Sequence, residues 1–397
     1  MHQLSDTINK LSESATLAMS RKSRELREKG IDVISLSLGE PDFNTPDFIK
    51  AAAKKAIDEN YSTYTPVNGY LSLREAIVNK FQRDNGLTYD ADQIVVSTGA
   101  KQSISNICFA LLNEGDEALL PAPFWVSYQE IVKMAGGTPV SVESDIASDF
   151  KLTAEQLEAS LNDKTRIIIF SSPCNPTGSY YSKEELRSLA AVIAKFPKVI
   201  VLSDEIYEHI NFSGKHESLA QFPEVYDQVV TVNGVSKSFA MTGWRIGYIG
   251  APLWLAQACT KIQGQVTSGA CGISQKAAEA AVSADPKLVI PMREEFEKRR
   301  DLMIQHLQEI PGVEINKPEG AFYLFPVVSS YYGKSYQDYK INNSTDLTNY
   351  LLEEEHLALV PGVAFGSDNN IRISYASSEE VLLEAMRRFK SGLSKLS

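Results

Sequence analysis

Cysteine is scarce in this sequence: four residues in 397, Cys108, Cys174, Cys259 and Cys271, separated by 66, 85 and 12 positions. That spacing excludes a paired-CxxC zinc site and a dense disulfide framework, and a reducing, cytoplasmic setting is the simplest reading. The five histidines, His2, His209, His216, His306 and His356, form no ligand-like spacing, so no metal is expected. Long apolar runs are missing as well. Met1 to Lys22 mixes Asp6, Lys10, Glu13 and several serines without the apolar centre of a secretory signal, and no run reaches membrane-spanning length. Positive charge is in deficit, with 39 basic against 50 acidic residues and a formal net charge of −11. Such a chain is a poor candidate for tracking phosphate backbones or anionic membranes.

What is present is ordinary globular material, 43% hydrophobic and 22% charged. At roughly 100–200 residues per domain, the length predicts two domains with an ample core. From about Gln93, short β-rich runs alternate with helical periods: QIVVST, EALLPA, RIIIFSS, KVIVLSD, VVTVNG and RIGYIG, the first three followed by helical patterns. That alternation predicts an α/β fold of parallel βαβ units, and the near-continuous apolar character of the strands predicts a sheet covered on both faces. From about Pro291 the pattern changes to a long charged helix, a Pro311-Gly312 break, a strand at AFYLF and two more helices near 345–356 and 378–394, which predicts a smaller α+β domain. No Ser/Gly/Pro-rich linker, internal repeat or low-complexity tract separates the parts.

Ligands of parallel sheets bind beyond the carboxyl ends of strands, and there the chemistry-bearing residues accumulate. Asn175 sits in the turn SSPCNPTG, Asp204 and Tyr207 in VLSDEIYEHI, and Ser236, Lys237 and Arg245 in NGVSKSFAMTGWRIGY. Each alone has a plain alternative, respectively a turn former, a helix cap or core residue, and a solvated loop cation. Together they can converge at one sheet edge and suit one cofactor, pyridoxal phosphate. Lys237 supplies the Schiff-base amine and Asp204 the carboxylate that keeps the pyridine nitrogen protonated. Tyr207 and Asn175 can donate to the ring phenolate, while Arg245 and Ser236 suit the phosphate. The turn STGAKQ adds Gly99 and Ala100, whose backbone N–H groups at a helix start favour an anion.

In order along the chain, GEPDFNTP (39–46), NPTG, SDEIYEH, SKSFAMTGWRIGY, GAFYLF and IRISYA (371–376) resemble a class I pyridoxal-phosphate aminotransferase of the aspartate aminotransferase type. The resemblance implies a fold type I transferase, with a large domain over 46–290 built on a seven-stranded, mostly parallel sheet. Residues 1–45 and 291–397 then form a small domain that closes over the substrate. It further implies a homodimer in which Tyr64 reaches the neighbouring subunit's phosphate. Trp125 resembles the aromatic stacked on the cofactor ring, Arg372 the clamp on the substrate α-carboxylate, and Gly39 a backbone contact to the same group. The chain looks like the bacterial branch in which the lysine of the GxKQ turn, here Lys101, holds the distal carboxylate, with Ser14 and Thr16 as neutral helpers; a phosphate contact is the other reading of Lys101. The implied activity is ping-pong transfer of an amino group between L-aspartate and 2-oxoglutarate. Prephenate, alanine or aromatic aminotransferases and a carbon–sulfur β-lyase are the rivals on the same scaffold. A regulator fused to a DNA-binding module is disfavoured by the acidic composition and by the lack of room for a helix-turn-helix.

Overall fold

A computed structural model describes residues 4–397; Met1, His2 and Gln3, which fall in the expected small domain, lie outside the described residues. Seven strands form the central sheet: β1 (Ile94–Ser97), β2 (Glu117–Ala122), β3 (Thr138–Glu143), β4 (Thr165–Ser171), β5 (Ile200–Asp204), β6 (Val229–Gly234) and β7 (Gly247–Gly250). Their spatial order is β1-β7-β6-β5-β4-β2-β3. The run from β3 through β2, β4, β5 and β6 is parallel throughout, whereas β7 is antiparallel to both β6 and β1. The expected mostly parallel α/β architecture is therefore present, with one reversed strand that periodicity could not show. β3 is the strand absent from the apolar runs. It lies at the sheet edge with exposed and half-buried positions and lacks their continuous apolar signal.

Because side chains alternate across a strand, each strand feeds two cores. Ile167 and Ile169 of β4 join Leu120, Leu202, Val230 and Ile249 on one face. Ile168 and Phe170 join Val96, Leu119, Val201 and Val229 on the other. Helices Ala100–Leu111 and Leu253–Val266 contribute to the first layer, and Asp47–Asp58, Lys183–Ile193 and Gly272–Ser283 to the second. The helix after β4 starts where Ser182 accepts from the Glu185 N–H and the Glu185 carboxylate accepts from the Ser182 N–H. This reciprocal cap releases the chain from the SSPCNPTG turn into a helix.

A further core gathers Phe296, Met303 and Leu307 of the long helix Ile290–Gln308 with Phe322, Tyr323, Ile373 and Phe389. Around it lies a three-stranded antiparallel sheet of Val360–Pro361, Ile371–Ser374 and Tyr323–Leu324, flanked by helices Ser344–Glu355 and Glu379–Lys395. Ile34–Ser35 pairs in parallel with Leu357–Ala358, so the early and late segments of the chain are joined. Ile206, Tyr207 and Ile210, from the segment after β5, pack into this same core. The end of β5 is therefore where the central sheet meets the second body. No helix among the described residues is long and apolar enough to cross a membrane.

Candidate active site

Asp204 is the last residue of β5 and is buried, at 5% exposure. Its Oδ2 accepts from the Tyr128 hydroxyl at 2.7 Å and its Oδ1 from the Ile206 N–H at 3.2 Å. Burial pushes its pKa up to about 6 against these hydrogen bonds, so it is a carboxylate poised to share a proton. Lys237 lies three residues beyond β6, and its Nζ donates to the Gly39 carbonyl at 2.5 Å. Burial lowers its pKa to about 8; Glu40 and Asp204 work against the drop, while Arg372 and Arg245 assist it.

Arg245 shows how the reversed strand serves the site. It lies between β6 and β7, and because β7 runs antiparallel, its beginning lies at the edge where the parallel strands end. Arg245 thus lies beyond the parallel strand β6, at the same edge as the other candidates. Arg245 adopts a left-handed φ of 57° and donates through Nη1 to the Thr242 carbonyl at 2.8 Å. Gly99, with φ 82°, caps the helix Ala100–Leu111, which has no side-chain cap. The positive φ requires glycine there, and a Cβ would in addition displace the Arg245 guanidinium.

Asn175 is buried in the turn after β4, and its Oδ1 accepts from Arg372 Nη1 at 2.9 Å. Arg372, the second residue of strand Ile371–Ser374, also donates through Nη2 to the Ser37 carbonyl at 2.5 Å, and its buried Nε has no partner. Burial lowers the Arg372 pKa. Lys101 follows Ala100 at the start of its helix and holds Nζ 4.9 Å from the centre of the Trp125 ring; burial, then Arg245, lowers its pKa. Tyr207 and Tyr323 share a hydrogen bond of 2.7 Å between hydroxyls.

These groups surround one cleft of about 380 Å³, lined also by Ser14, Thr16, Gly39, Ala100 and Ser236. Of the residues expected at the site, Gly99 lies behind the lining at Arg245, and Tyr64 lies outside it, 98% exposed. Four cations, Lys101, Lys237, Arg245 and Arg372, face two carboxylates, Glu40 and Asp204, so a chain of net charge −11 carries a locally cationic cleft. The donor set fits pyridoxal phosphate. The uncapped helix start beside Arg245 and Ser236 suits a phosphate, the buried Asp204 a ring nitrogen that must stay protonated, and the Lys237 amine an aldehyde. The orphaned Arg372 Nε suits a further anion.

Sequence reading missed Tyr128 and Tyr323. Tyr128 falls one turn after Trp125 in PFWVSY, and Tyr323 ends the GAFY of a motif noted only for resemblance. It also missed that His209 and His216 gather with Asp84, Glu205 and Glu208 behind the Asp204–Tyr207 segment. Lys80 pairs with Glu208 and donates to Asn85 at 2.8 Å, Arg83 pairs with Asp84 at 2.6 Å, and Glu205 accepts from Ser203 and Ser218 at 2.9 and 2.7 Å.

Comparison with known proteins places this geometry in a family. The sequence model described as aminotransferase class I and II matches residues 31–389. An aspartate/prephenate aminotransferase of Cereibacter sphaeroides is 48% identical over 397 residues, covering 99% of each chain. A bifunctional aspartate aminotransferase and glutamate/aspartate-prephenate aminotransferase of Petunia hybrida is 48% identical over 395 residues, covering 98% of this chain and 82% of its own. Among solved structures, the aspartate aminotransferase of Rhizobium meliloti superposes with a TM-score of 0.96 at 42% identity, covering all of both chains. That of Thermus thermophilus with maleate reaches 0.93 at 36% identity, covering 99% of this chain and 100% of its own. Agreement this long, on a cleft with the matching donors, means that the chain belongs to the class I and II aminotransferases and is a pyridoxal-phosphate-dependent enzyme of the aspartate aminotransferase type.

Proposed function

We propose that the enzyme moves the amino group between L-aspartate and 2-oxoglutarate, giving oxaloacetate and L-glutamate. The observation that carries this reading is the surplus of positive charge in the cleft. Once Arg245 is assigned to the cofactor phosphate and Lys237 to its aldehyde carbon, Arg372 and Lys101 remain, two cations for the two carboxylates of a dicarboxylic acid. The names of the relatives and the maleate, itself a dicarboxylate, in the Thermus thermophilus title support the same class.

Pyridoxal phosphate, when bound, supplies an aldehyde that condenses with amines and a protonated ring that takes up the electron pair left at Cα. Asp204, which accepts from Tyr128, would hold the proton at the pyridine nitrogen. Tyr207 and Asn175 would donate to the ring oxygen, Trp125 would lie against the ring, and Ser236, Gly99 and Ala100 would join Arg245 at the phosphate. Arg372 and the Gly39 backbone orient the α-carboxylate; Lys101, with Ser14 and Thr16, holds the distal one. Lys237, whose proton is loosened by burial, moves the substrate's proton from Cα. Amino acid and 2-oxo acid use the same groups in turn, which produces ping-pong kinetics.

The chain divides into a large domain over 46–290 and a small one from 1–45 and 291–397 that closes over the substrate. The pairing of Ile34–Ser35 with Leu357–Ala358 and the position of Arg372 support this division. The enzyme is a homodimer in which Tyr64, 98% exposed here, reaches the neighbouring site. Its four free thiols suit the cytoplasm. The alternative reading is a prephenate aminotransferase, which the names of the Cereibacter sphaeroides and Petunia hybrida relatives support.

The test is a panel of amino donors against 2-oxoglutarate, oxaloacetate and prephenate. Aspartate with 2-oxoglutarate should show the highest kcat/KM. A higher value for alanine or phenylalanine, or pyruvate release from cystathionine, overturns the reading.

A further inference from the structure

Tyr323 stands between the two halves of the site. Its hydroxyl lies 2.7 Å from that of Tyr207, and its ring centre lies 4.6 Å from the Arg372 guanidinium carbon. A Cβ at position 39 would run into the Tyr323 hydroxyl, so Gly39 is bare where Tyr323 presses on it, while the Gly39 carbonyl accepts from Lys237. The charged and titratable groups facing Tyr323 are Arg372 from the neighbouring strand of its own small sheet, Tyr375 just beyond the end of that strand, Tyr207 from the segment after β5, and Glu40 from the loop following Gly39.

Proton counting then decides a direction. A tyrosine hydroxyl has one hydrogen to donate. Tyr207 lines the cleft, and if it gave its hydrogen to Tyr323 it would have none for the cofactor. Tyr323 has no other acceptor for its own hydroxyl among the hydrogen bonds of the described residues, so the chain that satisfies both runs from Tyr323 to Tyr207 and on into the cleft. Donors in such a chain strengthen one another; burial raises the Tyr323 pKa, and the guanidinium 4.6 Å from its ring centre works against that rise, so the cation is what favours donation by this phenol.

We propose that Tyr323 is a positioning residue that aims the Tyr207 hydroxyl proton at the cofactor and transmits the charge state of Arg372 to it. Binding of a carboxylate at Arg372 offsets the guanidinium charge, weakens Tyr323 as a donor, and so weakens the hold of Tyr207 on the cofactor oxygen. The inference rests on the assignment of Tyr207 to that oxygen.

The experiment uses the holoenzyme and reads the pH midpoint of the bound cofactor's absorption band, alone and with maleate. In Tyr323→Phe the midpoint should rise by about half a pH unit, and the further rise that maleate causes should shrink. Maleate affinity should hold in Tyr323→Phe, which keeps the ring under Arg372, and fall several-fold in Tyr323→Leu, which removes it. Equal midpoints and equal maleate shifts in wild type and Tyr323→Phe, with only the melting temperature of the cofactor-free protein changed, would make Tyr323 a packing residue and overturn the proposal. Tyr207→Phe separates the two readings: a midpoint raised by Tyr207→Phe but not by Tyr323→Phe rejects the relay alone, and no response to either rejects the assignment of Tyr207 as well.

Discussion

Arg372 donates to Asn175 at 2.9 Å across 197 positions of sequence, tying the three-stranded sheet to the turn after β4. The bond occupies the Asn175 oxygen and leaves its two N–H groups as the donors that face other partners. The residue proposed for the substrate carboxylate and one proposed for the cofactor are thereby a single buried unit. The other contacts of the cleft support the following expectations.

Lys237 should control the rate at which cofactor-free protein takes up pyridoxal phosphate. Its pKa is lowered to about 8, chiefly by burial, so the amine is protonated and unreactive below that value and neutral above it. The recombination rate followed by absorbance should rise with pH through about 8. Borohydride reduction followed by peptide mapping should label Lys237. A label elsewhere, or a rate midpoint in the ordinary lysine range, contradicts the assignment.

Asp204→Asn should stabilise the cofactor-free protein while removing most turnover. The folded pKa is raised from 3.8 to about 6, chiefly by burial, so the native state holds the proton more tightly than the unfolded chain. The resulting stability is complete below the ordinary carboxylate range and is lost as pH rises through the folded value, a loss on the order of 3 kcal/mol. Melting curves should therefore favour Asp204→Asn at pH 8 and converge with wild type near pH 4. Equal melting at both pH values would show that the charge carries no such strain, and near-wild-type kcat would remove Asp204 from the chemistry.

Lys101→Ala should raise KM for aspartate and 2-oxoglutarate by about tenfold or more and leave alanine nearly unaffected, because only the dicarboxylates present a distal charge. Equal effects on both classes would return Lys101 to the phosphate or to the helix start.

Glu208→Gln should destabilise the fold by about 3–5 kcal/mol, since it leaves a buried ammonium with only the more distant Asp84 carboxylate, at 3.8 Å, as counter-charge. Lys80 and Glu208 are each 2% exposed by side chain. Burial acts to raise the Glu208 pKa, but Lys80, His209 and His216 outweigh it and hold it well below the ordinary range. Urea unfolding of Glu208→Gln and of the double variant Lys80→Met/Glu208→Leu measures this. The double variant should recover much of the loss, and a double variant as unstable as the single one would show that packing rather than charge is at stake.

The fold is legible in the sequence wherever the signal is local. Continuous apolar runs marked β1, β2 and β4 to β6, and the long charged helix ends within two residues of its expected limit. The signal fails for β3, whose half-exposed edge position leaves no continuous apolar run, and for the direction of β7, because a strand reads the same in either orientation. Tyr128 and Tyr323 escaped notice because a tyrosine in an apolar stretch looks like core until the carboxylate or hydroxyl opposite it is known.

The α/β class, the family and the identity of Lys237, Asp204 and Arg372 as candidates were already written in the linear chain, since each depends on a short ordered motif or on periodicity. The convergence of those groups was not. The reversal of β7 that delivers Arg245, the Arg372–Asn175 bond and the Tyr323–Tyr207 contact join segments far apart in the chain, and their distances and proton affinities arise only when folding removes water from between them.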